Sequence, residues 1–120
     1  MAEYGPKVYV RIPDLNVQEG SSFNATINYR QDGADVTPAA STVKYRVDCL
    51  TSDKVILDWT VTATPTQPMD LAMISTYNDI QHKSNRREKK QLTVTYNKAS
   101  DDQFTTRATW YVDNLVGTET

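Results

Sequence analysis

The chain has 120 residues, with 13 Lys+Arg against 15 Asp+Glu, one His and one Cys. A single Cys excludes an intrachain disulfide framework, and a single His excludes a His-rich metal cluster. The net charge of −2 supplies no global field for drawing in nucleic acid.

Alternation dominates the chain. Val8, Val10 and Ile12 predict a first strand over about 7–12, stopped by Pro13-Asp14. Phe23, Ala25, Ile27 and Tyr29 predict a second over about 21–30, followed by turn chemistry at Gln31–Asp35. Val43, Tyr45, Val47 and Cys49 form a third apolar set. Val55, Leu57 and Trp59 follow in phase after Thr51-Ser52-Asp53, so 43–50 and 54–60 read as an antiparallel hairpin. Pro65 and Pro68 interrupt a Thr-rich crossing. Met69, Leu71 and Met73 make a fifth strand ending near Ile74. Residues 76–87 are polar without alternation and read as a loop or short helical turn. Leu92, Val94 and Tyr96 make a sixth strand, and Phe104 to Leu115 a seventh.

About seven short strands, with no amphipathic helix of ten residues or more, predict an all-β antiparallel sandwich. Missing crossover helices exclude a parallel βαβ sheet. The chain reads as a single domain over 1–120, with a short arm at 1–6 and a polar tail at 116–120. Thr, which occurs 16 times, fills the outward positions of strands whose inward positions hold Val, Leu and aromatics. Trp59 and Trp110 share the apolar phase and are expected in the core. No apolar run has the length of a signal peptide or a membrane span, so synthesis in a cytoplasm without export is expected, with no membrane partner.

The sequence offers little for catalysis. Cys49 shares the phase of Val43, Tyr45 and Val47, as a buried thiol would. Asp48, Asp58 and Asp70 are scattered carboxylates on or beside strands. Asp32–Asp35 and Asp101-Asp102 lack the spacing of a Ca²⁺ loop. Phosphate-cradling glycine patterns are absent. The expectation is no catalytic residue, no cofactor, no metal and no enzyme activity. The strongest local anomaly is the basic run His82–Lys90. It reads as a solvated loop guarding a strand edge, or as a salt-sensitive contact with an acidic protein surface. It lacks interleaved aromatics, so direct nucleic-acid binding is not expected. Lys83, Arg86, Arg87, Lys89, Lys90 and the nearby Tyr77 are the candidate contact residues.

Three segments carry a resemblance. Lys44–Ser52 runs into Lys54–Thr60; Arg87–Tyr96 comes later; Trp110–Leu115 closes the chain. Together they resemble small immunoglobulin-like or fibronectin-III-like sandwiches among the structural proteins of tailed bacteriophages, although one Cys cannot form the immunoglobulin disulfide. The resemblance implies an Ig-like sandwich located in the virion. Its role would be capsid decoration, cementing or another head-associated function, bound in symmetric copies to the major capsid protein or other virion subunits. A second expectation is a tail or adhesin-type module that recognises a cell-surface glycan or protein. For that module the exposed aromatics would be Tyr77, Tyr111 or Trp110.

Overall fold

A computed structural model of the protein describes residues 7–31, 34–82, 84–99 and 102–114. The chain forms two packed β-sheets, as the alternation predicted. The described residues hold nine strands rather than seven: β1 (Lys7–Arg11), β2 (Asn16–Gln18), β3 (Phe23–Gln31), β4 (Ala34–Asp35), β5 (Val43–Cys49), β6 (Lys54–Thr62), β7 (Met69–Met73), β8 (Arg87–Ala99) and β9 (Asp102–Asp113). A 3-10 turn, Ser75–Asn78, lies on the crossing from β7 to β8. β2 and β4 escape sequence reading because they are three and two residues long, too short for a period of two to register.

The smaller sheet has β3 at its centre. β1 pairs along one side of β3, and β7 and then β4 pair along the other, all antiparallel. Between β7 and β4 the Gln67 side chain takes up the gap. Its Oε1 accepts from the Tyr29 N–H at 2.7 Å, and its Nε2 donates to Asn28 Oδ1 at 3.1 Å. The larger sheet runs β2-β9-β8-β5-β6, antiparallel except for the β2–β9 pair. Placing β1, β3 and β7 in one sheet and β5, β8 and β9 in the other is the arrangement of immunoglobulin-type sandwiches.

The period of two sorts the core. Ala25, Ile27 and Tyr29 of β3 and Met69 and Met73 of β7 face Val43, Val47, Leu92, Val94, Tyr96, Trp110 and Val112 of the larger sheet. Two edge-to-face ring pairs tie the sheets together. Phe23 meets Trp110 at 5.3 Å between ring centroids, and Tyr29 meets Tyr96 at 5.7 Å. Burial, with Tyr96 nearby, pushes the Tyr29 phenol well above its usual range, so it stays protonated. Its hydroxyl donates to Met69 Sδ at 3.6 Å.

The apolar phase of β8 continues backwards into charge. Leu92, Val94 and Tyr96 face inward, and so do Lys90 and Glu88, both fully buried. Strand β8 therefore begins at Arg87 rather than near Leu92, because paired charges can occupy inward positions. Lys90 Nζ donates to Glu88 Oε1 at 2.9 Å and to the Asp79 carbonyl at 2.8 Å. The same Oε1 accepts from the Gln81 N–H at 2.7 Å and from Cys49 Sγ at 3.5 Å. Oε2 accepts from the His82 N–H and from Asn85 Nδ2, each at 2.9 Å. Beside this cluster the buried Trp110 Nε1 donates to Asn78 Oδ1 at 2.7 Å, and Asn78 Nδ2 donates to the Ser21 carbonyl at 2.7 Å. Burial alone would raise the Glu88 pKa. The hydrogen bonds from Gln81, Asn85, Lys90 and His82 outweigh that effect and lower it from 4.5 to about 2.

Substitution tests both the facing of the strands and the buried pair. In urea unfolding, Leu92→Ala is expected to cost about 2–5 kcal/mol, and the outward Thr109→Ala less than about 1 kcal/mol. Similar costs for both would refute the inward and outward assignment. Because the folded Glu88 pKa lies below its ordinary value, its contribution to stability is complete above about pH 4.5. It is lost as pH falls from there towards 2. Glu88→Gln is expected to cost about 3–5 kcal/mol at neutral pH, since it strands Lys90. It is also expected to flatten the stability change across that acid window. A wild-type-like acid profile in the variant would show that Glu88 is not the titrating group.

Candidate functional site

The expected contact residues separate by parity along β8. Even positions point into the core and odd positions point out. Lys90 is therefore corrected as a contact residue: it is buried, with its charge spent on Glu88 and the Asp79 carbonyl. Arg87 and Lys89 face outward on the larger sheet. Arg87 Nε donates to Asp113 Oδ1 at 2.9 Å. Its guanidinium carbon lies 5.3 Å from the Tyr111 ring centroid, and Lys89 Nζ lies 5.8 Å from the same ring. Arg86 is exposed at the pole of the sandwich, where its carbonyl accepts from the Asn114 N–H at 2.8 Å. Tyr77 is half-buried against the core, so its ring is not a free contact surface. Lys83 lies outside the described residues.

Both tryptophans share the apolar phase that predicts the core, and only one obeys it. Trp110 is fully buried, which also removes it as an exposed recognition aromatic. Trp59 is 40% exposed and sits on the outer face of the larger sheet. The reason is a change of register. Tyr45 pairs with Thr60, but Val47 pairs with Leu57 and Asp48 with Val55, so β6 carries irregularities on both sides of Leu57. Each extra residue reverses the facing of the residues beyond it. Leu57 keeps the inward phase and Trp59 loses it.

On that outer face Trp59 lies beneath two cations. Lys44 Nζ is 4.9 Å and the Arg46 guanidinium carbon 5.6 Å from its ring. Arg46 also forms a forked pair with Asp48, from Nε to Oδ2 at 2.9 Å and from Nη2 to Oδ1 at 2.7 Å. Those hydrogen bonds raise the Arg46 pKa further above its ordinary value. Val55 and Val61, 52% and 57% exposed, flank Trp59 on β6. The outer face thus has two groups of the same composition. Trp59 stands with Lys44 and Arg46, and Tyr111 stands with Lys89 and Arg87. In each group the arginine is paired with an aspartate, Asp48 or Asp113. Among the described residues no ion pair with a carboxylate involves Lys44 or Lys89. The sequence singled out Tyr111, Arg87 and Lys89 but not Lys44 and Arg46, whose spacing in β5 looks like ordinary outward alternation.

The scattered carboxylates Asp48, Asp58 and Asp70 do not converge into an acid–base pair. Asp48 and Asp58 belong to the larger sheet, whereas Asp70 accepts from Thr26 Oγ1 at 3.3 Å on the smaller one. Cys49 is buried with its thiol on Glu88, and the exposed His82 ring meets Ser84 Oγ at 2.6 Å. Among the described residues no group of three or more His, Cys, Asp or Glu is placed to hold a metal ion.

No family model matches this chain, and no curated protein matches it. A solved structure has a similar fold: a conjugative transposon lipoprotein from Bacteroides eggerthii, with a TM-score of 0.51 and 10% identity, covering 90% of this chain and 98% of that one. At that identity the likeness establishes the fold, a β-sandwich. It also corrects the expected role as a phage capsid-decoration, head-associated or tail protein: the similar sandwich belongs to a bacterial conjugative element and gives a virion role no support.

Proposed function

We propose that this chain is a non-enzymatic interaction domain that holds a protein partner against the outer face of its five-stranded sheet. The observation that carries the reading is Trp59. Trp59 is 40% exposed on the outer face of a sheet whose inner face is already packed, and the exposed part forgoes about 2 kcal/mol of burial. The same ring, held in place by Lys44 and Arg46, is a preset anchor of the residue type that dominates protein interfaces. Tyr111 with Arg87 and Lys89 repeats the chemistry on the same face. The scattered carboxylates and the buried thiol support a binding role over a catalytic one. The fold shared with a conjugative transposon lipoprotein supports a bacterial setting of that kind.

The test is quantitative co-purification from the native source after mild cross-linking. Trp59→Ala combined with Lys44→Glu is expected to lower recovery of the associated protein at least about tenfold, the loss that one interface anchor brings. Arg86→Glu, at the pole, is expected to leave recovery unchanged. Full recovery with the Trp59/Lys44 variant would reject the face as the interaction site.

A further inference from the structure

The two aromatic groups lie on one continuous surface. The pairing register sets their relation. Arg46 is level with Thr93 and Arg107, Asp48 with Gln91 and Thr109, and Lys89 with Tyr111. Trp59 and Tyr111 are three strand spacings apart across the sheet, and their rows are four residues apart along β9. With strands about 4.8 Å apart and a rise of about 3.3 Å per residue, the two rings are roughly 20 Å apart along a diagonal. The diagonal passes Gln91 and Thr109, which are uncharged, while Thr93 beside them is buried. The surface is therefore two cationic aromatic clamps joined by a neutral, hydrogen-bonding strip.

Charge decides what fits. The face carries Lys44, Arg46, Arg87, Lys89 and Arg107 against Asp48, Asp58 and Asp113, while the whole chain has a net charge of −2. It is a positive island on an acidic protein, and the island is discontinuous. A polyanion with evenly spaced charge, such as nucleic acid or a sulfated polysaccharide, would meet Asp48 and Asp113 inside the clamps and, outside them, a single cation of the face, Arg107. A chain with carboxylates at two separated places meets Lys44 and Lys89, each next to a ring that can cover the methylenes of an acidic side chain. An extended peptide spans the separation in about six residues.

Resting on the interaction-domain reading, we propose that the two clamps together bind one extended acidic segment of a partner protein. Its carboxylate side chains lie about six residues apart, one set at Lys44 and Trp59 and the other at Lys89 and Tyr111. The arginines stay with their aspartates and fix the clamp geometry. The lysines take the incoming charge.

The probe is a fluorescein-labelled twelve-residue peptide with a Glu pair in each half, six residues apart, on a Ser/Gly background. Binding to the full chain is read by fluorescence anisotropy. Its all-Gln counterpart, a two-residue-spaced version, heparin and a single-stranded oligonucleotide are compared. The Glu peptide is expected to bind at least about tenfold more tightly than the Gln peptide, and to weaken with added salt. Lys44→Glu and Lys89→Glu are each expected to weaken it about tenfold, as is shortening the spacing, while Arg86→Glu leaves it unchanged. All substituted positions carry surface side chains, and circular dichroism melts confirm the fold of each variant. Equal binding of the Glu and Gln peptides, indifference to either lysine, or tighter binding of heparin or the oligonucleotide would overturn the proposal. If the peptide fails while the Trp59/Lys44 variant still loses its co-purifying protein, the acidic segment is wrong and the interaction face stands. If co-purification is also unchanged, both fall.

Discussion

The ion pair between Glu88 and Lys90 decides more of this structure than any other contact. Both side chains are fully buried, one end of an inward stripe that otherwise holds Leu92, Val94 and Tyr96. A buried carboxylate is tolerable only with its lone pairs occupied, and Glu88 has Lys90, Cys49, Asn85 and two backbone N–H groups on it. Those N–H groups belong to Gln81 and His82, on the crossing from β7 to β8. The pair thereby binds the polar connection to the core, beside the apolar contacts of Tyr77 and Ile80. It also fixes the register of β8. A slip of one residue would bury Arg87 and Lys89 and expose Glu88 and Lys90. The outer face holds its Tyr111 group because this pair holds the strand in phase.

Most of the architecture was legible in the sequence because most strands obey one rule. Where the inner set is Val, Leu, Met or aromatic, the period of two gives strand, facing and core together, as in β3, β5 and β7. The rule becomes hard to see where composition and parity disagree. The run from Arg87 to Lys90 looks like a solvated loop by composition, but its even members share the parity of Leu92 and Val94. Parity carried the signal of the longer strand. Composition hid it because an isolated buried Lys is costly and a paired one is not.

Trp59 is the opposite case. Its composition and its parity both indicated the core, and both misled. Irregularities in the pairing of β6 with β5 turn its side chain outward. Local sequence does not encode where an extra residue enters a pairing, since the partner strand sets the register. The candidate site was thus only half visible. Arg87 and Lys89 could be found from the anomalous charge run, and Tyr111 from the expectation of exposed aromatics in a recognition module. The Trp59 group depends on an irregularity between strands and on Lys44 and Arg46, two residues that any outward-facing strand can carry.

The similar sandwich of the conjugative transposon lipoprotein shares its fold with this chain at 10% identity. Such a likeness is what sandwich physics produces. The inward positions need only apolar volume in the right parity, and many sequences satisfy that. The outward positions are under no such constraint, so they are free to differ. What distinguishes this chain is therefore its own outer face. That face combines two aromatic rings, two lysines outside every ion pair among the described residues, and a neutral strip between them. The buried pair that sets the phase of β8 and the irregularities that turn Trp59 outward act on opposite halves of the same sheet, and their joint effect is one surface with two like-charged anchors.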